Sequence, residues 1–273
     1  MNDAVSFNIK SYKGKTLSER SDAVAAEEPL EIQINGIGIA VLMRTPGADH
    51  NLVRGFLVTE GIIESHTHVR SISHCDRVSH PEAEDNMIQV TLRDDITLDL
   101  QSLKRNLFAN SSCGICGKAT IENILCRQEP LTDNFRLKPS TIYGLTETLR
   151  NAQNVFTATG GLHAAGLFAE DGTAYAVFED VGRHNAVDKV IGWMIQEERF
   201  PIRQSMLCVS GRISFEVVQK AAAAQIPVIC GVSAPTSLAV NTARALQITL
   251  IGFLRGPGFN CYSGADRIVS ESD

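Results

Sequence analysis

S-M-L-C-V-S-G-R-I-S-F-E-V-V-Q-K-A-A-A-A-Q-I-P-V-I-C-G-V-S-A-P-T-S-L-A-V-N-T-A-R-A-L-Q-I-T-L-I-G-F, residues Ser205 to Phe253, decides the fold. Short apolar runs at Ser205–Val209, Pro227–Val232 and Ile248–Phe253 read as strands. Between them, Phe215–Ala224 and Thr236–Leu246 carry helical spacing. Strands alternating with helices at this interval predict a mainly parallel sheet covered by helices. The same alternation extends upstream. Asn185–Glu198 is a patterned amphipathic helix, Gly161–Phe168 and Ala174–Phe178 supply helix and strand, and Ser140–Asn151 reads as helix.

Before residue 140 the pattern differs. Residues 1 to about 27 are polar and read as a loose arm or edge strand. Leu30–Arg44 alternates around Asn35-Gly36, a strong hairpin signal because both residues tolerate positive φ. Asp49–Glu60 has helical spacing stopped by Gly61. V-R-S-I-S-H-C, M-I-Q-V-T-L and I-T-L-D-L add strands, making this part α+β with a mostly antiparallel sheet. The expected division is an N-terminal α+β domain over 1–105, a connection over 106–139, and a C-terminal α/β domain over 140–273.

An apolar fraction of 44% and a charged fraction of 21% describe an ordinary globular chain. A net charge of -6 argues against a general nucleic-acid or anionic-membrane binder. The first residues lack the basic start and apolar core of a signal peptide, and no apolar run reaches the ~20 residues of a membrane helix. Seven cysteines, an odd number without an export signal, read as reduced cytosolic thiols.

In open α/β sheets ligands sit at the carboxyl ends of strands. Those ends carry Arg183 and His184, then Ser210, Gly211, Arg212 and Ser214, then Ser233, Thr236 and Ser237, then Arg255 between glycines. Hydroxyls, guanidinium forks and helix N-termini converging on one edge suit a large phosphorylated ligand. Ordinary capped turns are the alternative for any single loop, although capping alone does not call for arginine. No dinucleotide fingerprint or P-loop occurs.

Ser111-Ser112-Cys113-Gly114-Ile115-Cys116-Gly117-Lys118 places two thiols three positions apart among small residues, beside a lysine and before the helix-like Thr120–Leu125. Positive charge and a helix N-terminus favour the thiolate, the reactive form. The pair permits zinc ligation, disulfide exchange or sulfur transfer. Structural zinc usually needs a second ligand pair, and the chain has one Cys-x-x-Cys. A thioredoxin-like redox pair follows a strand of a βαβ unit, which K-R-N-L-F-A-N does not supply. Zinc deaminases carry His-x-Glu, whereas His163 precedes Ala164-Ala165. Cys75, Cys126, Cys208 and Cys230 lie in or beside apolar runs and read as packing residues, and Cys261 as structural. His163 suits either a ligand contact or a hydrogen-bonded core position.

M-R-T-P-G, G-F-L-V-T-E-G-I-I, S-S-C-G-I-C-G-K, T-G-G-L-H-A-A, E-D-V-G-R-H-N-A-V-D-K-V-I-G, V-S-G-R-I-S-F-E-V-V-Q-K-A and S-A-P-T-S-L-A-V together resemble the FdhD family of formate dehydrogenase accessory sulfur carriers, from about Glu28 to Tyr262. The resemblance implies a sulfurtransferase that accepts sulfur from a cysteine desulfurase as a persulfide. It would pass that sulfur to molybdenum-bis-molybdopterin guanine dinucleotide, a bound substrate, before the cofactor enters formate dehydrogenase. It implies Cys113 as persulfide bearer with Cys116 assisting, and cofactor contacts at Phe253, Leu254, Arg255, Gly256, Pro257 and Gly258. Those join Arg212, Ser210, Ser233 and His184 from the strand exits. It further implies a C-terminal domain similar to the cytidine deaminase fold, a homodimer, a cytoplasmic location, and no resident metal or prosthetic group.

Overall fold

The computed structural model describes residues 3–63, 65–75, 85–96 and 128–271. Cys113, Cys116 and Cys126, and the strand expected at I-T-L-D-L from Thr97 onward, lie outside the described residues.

The N-terminal arm is a hairpin of β1 (Ala4–Lys13) and β2 (Thr16–Ala25), paired along its whole length. It escapes a reading by alternation because both its faces are largely exposed. The expected hairpin forms as β3 (Glu28–Ile34) and β4 (Ile37–Arg44), with Asn35 and Gly36 at φ 49° and 81° in the turn. Helix α1 (Asp49–Thr59) follows and Gly61, at φ 65°, ends it. Strands β5 (Val69–His74) and β6 (Met87–Leu92) complete a four-stranded sheet ordered β4-β3-β6-β5, antiparallel except where β3 meets β6.

The remaining elements are α2 (Pro139–Tyr143), α3 (Leu145–Asn151), α4 (Asn154–Thr159), β7 (His163–Phe168), β8 (Ala174–Asp180), α5 (Arg183–Gln196) and β9 (Met206–Val209). After them come α6 (Phe215–Ala223), β10 (Val228–Gly231), α7 (Ser237–Ala245), β11 (Thr249–Arg255) and β12 (Gly258–Ser263). They build a six-stranded sheet ordered β12-β11-β10-β9-β7-β8. The expectation of a mainly parallel sheet is corrected here. Only β9–β10 and β10–β11 run parallel, while β7–β8, β7–β9 and β11–β12 are antiparallel. The reason is connection length: the few residues between β7 and β8, and Gly256-Pro257 between β11 and β12, are too short for a crossover. The run H-A-A-G-L-F, expected to include helix, is entirely strand. A short apolar run of that kind cannot be assigned by periodicity.

The central strands are buried on both faces, which explains their unbroken apolar sequence. Leu207, Val209, Ile229 and Leu250 face a core shared with α1, α5, α6 and the four-stranded sheet. Met206, Cys208, Val228, Cys230 and Ile251 face a second core with Ile142, Leu145 and Leu149 of α2 and α3. Helix α1 is the joint between the two sheets. Leu52, Val53, Phe56 and Leu57 are buried, and α1 crosses α5 at backbone contact. A Cβ at Gly55 would overlap the Asp188 carbonyl, and one at Gly192 the Asn51 carbonyl. Close approach, not a special φ, requires glycine at both positions. Gly192→Ala is expected to cost about 2–3 kcal/mol by forcing the helices apart. Chemical denaturation checks this, and an unshifted midpoint would contradict the packing.

Candidate functional site at the strand exits

The site begins with backbone. Strand β7 runs antiparallel to β9, so its first residue, His163, lies beside the carboxyl end of β9 and opposite Asp180 at the end of β8. Ser210 fastens this corner: its amide donates to the Ala164 carbonyl and its hydroxyl accepts from the Ala164 amide at 2.9 Å. The next two exits are laced together. The Ile213 amide donates to Ala234 O, the Thr236 amide to Ile213 O, and the Phe253 amide to Ser233 O. The carboxyl ends of β8, β9, β10 and β11 therefore form one continuous edge.

Along that edge stand Arg183, His184, Arg212 and Arg255. None of the three arginines has a carboxylate within 4.0 Å among the described residues. In a chain of net charge -6, three cations with no acid partner among the described residues leave this edge locally positive, a chemistry suited to an anion. Arg183 Nε donates to His184 Nε2 at 3.3 Å, and Ser214 Oγ lies 3.4 Å from the same nitrogen. A guanidinium only donates, so His184 Nε2 accepts and the imidazole is neutral, with its proton on Nδ1. Burial, with Lys220 and Arg183, lowers the His184 pKa to about 4, although Glu216 lies 3.9 Å away. Burial and Arg183 lower His163 as well.

The residues named for cofactor contact divide by environment. Arg255 is exposed, and its Nε reaches Val232 O at 3.4 Å. Gly256 and Pro257 form the β11–β12 turn, with Gly258 opening β12. Phe253 sits at φ 53°, a costly conformation for a large side chain, and is 41% exposed. Leu254 is fully buried in the second core, so only its backbone lies at the edge. Arg212 is exposed, and Ser233 is half-buried with its carbonyl bound to Phe253. Cys113 and Cys116 lie outside the described residues.

Most of the long E-D-V-G-R-H-N-A-V-D-K stretch is scaffold. Glu179 accepts the Val155 and Phe156 amides that start α4. Asp180 pairs with Lys189 at 2.7 Å and accepts from Thr45, Gly182 and Asn185. Lys189 and Asn185 donate to the carbonyls of Thr45 and Met43, seating M-R-T-P-G on the start of α5. Asp188 binds Lys220 at 2.9 Å and Thr59, and Lys220 reaches Glu60 at 2.6 Å. Burial pushes Asp188 up to about 6 against the pull of Lys220. Burial alone would lower Lys220, but Asp188 and Glu60 outweigh it and hold its pKa above the ordinary value. Sequence reading missed this ionic group. The signal was a lysine set among buried positions in V-V-Q-K-A-A.

Cys208 and Cys230 are paired neighbours on β9 and β10 and fully buried. Burial raises Cys208 to about 12 and Cys230 well above the ordinary thiol value, which fits packing residues. No group of three metal-ligating side chains occurs among the described residues. No helix among them is long and apolar enough to cross a membrane.

His184 has a pH consequence. The unfolded imidazole protonates near 6.5 and the folded one near 4, so its contribution to stability rises with pH across that window. The ring is 34% exposed, so solvent screening reduces the effect to on the order of 1–2 kcal/mol. Asp188, raised in the fold, acts with the opposite sign between about 4 and 6. Comparison with His184→Asn cancels that part. Denaturation at pH 4.5 and 7 should show the wild type gaining on the variant toward pH 7; a constant difference would contradict the assignment.

Residues 25–269 match the model of the FdhD/NarQ family. Sulfur carrier protein FdhD of Mycolicibacterium paratuberculosis is 47% identical over 252 residues, covering 91% of this chain and 93% of that one. The protein of the same name from Streptomyces coelicolor is 45% identical over 257 residues, covering 93% of this chain and 91% of that one. The crystal structure of a chain described as a formate dehydrogenase accessory protein, from Desulfotalea psychrophila, is similar with a TM-score of 0.78 and 25% identity. It covers 98% of this chain and 100% of that one.

Proposed function

Because the chain belongs to the FdhD/NarQ family, we propose that it is a sulfur carrier serving formate dehydrogenase, relaying sulfur from a cysteine desulfurase to molybdenum-bis-molybdopterin guanine dinucleotide. The cofactor is substrate here, held while its metal centre receives sulfur and before it enters formate dehydrogenase. The observation that carries the reading is the strand-exit edge, where Arg183, Arg212 and Arg255 have no acid partner among the described residues. Guanidinium forks bind phosphate oxygens in pairs, and the exposed Phe253 ring beside Arg255 offers a face for a purine.

The chemistry balances on two thiols. The Cys113 thiolate attacks the terminal sulfur of the desulfurase persulfide, a new S–S bond forms, and the desulfurase thiolate leaves. The Cys116 thiolate then attacks the inner sulfur of Cys113. A Cys113–Cys116 disulfide forms and the terminal sulfur departs with the electron pair as hydrosulfide, the species delivered to molybdenum. A dithiol reductant returns the pair to thiols. Neutral His184 leaves the arginine charge at the edge free for the anionic substrate.

The same membership supports a homodimer in the cytoplasm and a C-terminal unit of cytidine deaminase type. In this proposal that unit lacks the deaminase reaction, because Ala165 stands where a catalytic Glu would. Sedimentation of the purified protein tests the dimer. Calorimetry with GDP tests the edge. Arg212→Ala and Arg255→Ala should each weaken binding about tenfold, the worth of one charge-assisted contact. Unchanged affinity in both variants would remove the cofactor from this edge.

A further inference from the structure

At the opposite end of α5, about 20 Å from the strand exits by helix length, a cavity of about 420 Å³ opens between α5 and the four-stranded sheet. Its walls include Ile63, Val69, Ile195 and Phe200, and its polar lining includes Arg54, His66 and Arg70. Ile63 and Ile195 are each 4% exposed, so the apolar wall belongs to the core.

Among the described residues, two groups in this cavity have no partner of matching chemistry. Arg54 donates to Gln196 Oε1 at 2.9 Å but has no carboxylate within 4.0 Å among the described residues. Burial lowers its pKa, so the charge is held partly out of water with no counter-ion among the described residues. His66 stacks edge-on against Phe200 at 5.6 Å, and its Nδ1 is buried without a hydrogen bond. Arg70, by contrast, is satisfied by Asp94 at 2.7 Å and remains 56% exposed, and Glu198 stands solvated at the rim. A partly desolvated guanidinium and an unpaired imidazole nitrogen are each costly unless an acceptor meets them. One oxyanion with an apolar body would satisfy both groups and cover the wall.

We propose that this cavity is a second ligand site, separate from the strand exits, for a small amphipathic oxyanion. Arg54 and His66 Nδ1–H hold the anionic head, and Phe200 and Val69 pack its apolar body. A carboxylate and a phosphate share this chemistry, and the choice of probe separates them.

Calorimetric titration of the full chain with hexanoate, hexyl phosphate and hexanol tests it. Either anion should bind where hexanol does not; the tighter of the two identifies the head group. Arg54→Gln should weaken that binding about tenfold or more, and Arg212→Ala should leave it unchanged. Should Arg54→Gln fail to fold, Arg54→Lys takes its place. It keeps the charge, loses the fork and is expected to bind several-fold more weakly. Hexanol binding as well as the anions, no anion binding up to about 10 mM, or an Arg54 variant with wild-type affinity would each overturn the site.

Discussion

Cys113→Ala is expected to carry no transferable sulfur. The thiolate is the nucleophile in persulfide exchange, and removing it removes the bond that holds the cargo. The expectation rests on the sequence: small Ser and Gly neighbours, and Lys118 as a positive charge within the same short stretch. Three of the four described cysteines are poor substitutes. Cys208 and Cys230 are fully buried and shifted far toward the thiol, and Cys261 is raised by burial. After incubation with a cysteine desulfurase and cysteine, mass spectrometry of the wild type should show one added sulfur on the Cys113 peptide. The variant should show none. Cys116→Ala should still load but release sulfur slowly, because in the proposed relay the attack that frees hydrosulfide comes from that thiol. An equal load on wild type and Cys113→Ala would sink the assignment.

Lys220→Met is expected to destabilise the fold by about 3–5 kcal/mol, the usual result of removing one member of a buried ionic group. Lys220 is within 2.9 Å of Asp188 and 2.6 Å of Glu60, and Asp188 is 2% exposed at its side chain. Without the ammonium, two carboxylates face each other in the joint between α1, α5 and α6. The variant would be most impaired above about pH 6, where Asp188 must ionise without a partner, and less so in acid. Adding Asp188→Asn to the variant should recover part of the loss, since the uncompensated charge is then gone. Urea denaturation of the single and double variants measures this. A loss under about 1 kcal/mol with no recovery would mean that the ionic group contributes nothing to the joint.

The parts of the fold legible in sequence were those where a local rule has no competitor. Asn35-Gly36 specifies its turn through backbone conformation alone. The run from Ser205 to Phe253 gave its strands and helices because each is bounded by turn residues and long enough to show its period. Direction of pairing was not legible for β7. Its last five residues are buried and apolar whichever way they run, and only the short connection to β8 makes them antiparallel. The exposed arm was under-read because alternation reports burial, and neither face of β1 and β2 is buried. At the site, the strand exits were legible as a list of polar residues, and topology brings them to one edge. Which members point into the core was not legible: Leu254 is interior although Phe253 and Arg255 beside it are exposed. Nor did the sequence separate scaffold from surface within E-D-V-G-R-H-N-A-V-D-K. There Asp180, Asp188 and Lys189 hold elements together and Arg183 and His184 reach the edge.

The central claim is a relay: sulfur enters on Cys113 and leaves to a guanine-dinucleotide cofactor held by the strand-exit arginines. The most direct measurement loads the protein with radiolabelled sulfur from a cysteine desulfurase, adds the molybdenum cofactor, and follows the label into the cofactor recovered from formate dehydrogenase. The account predicts label in the wild-type product, none with Cys113→Ala, and a loaded but undelivered persulfide with the Arg212→Ala, Arg255→Ala double variant. Label delivered equally by all three proteins would contradict it.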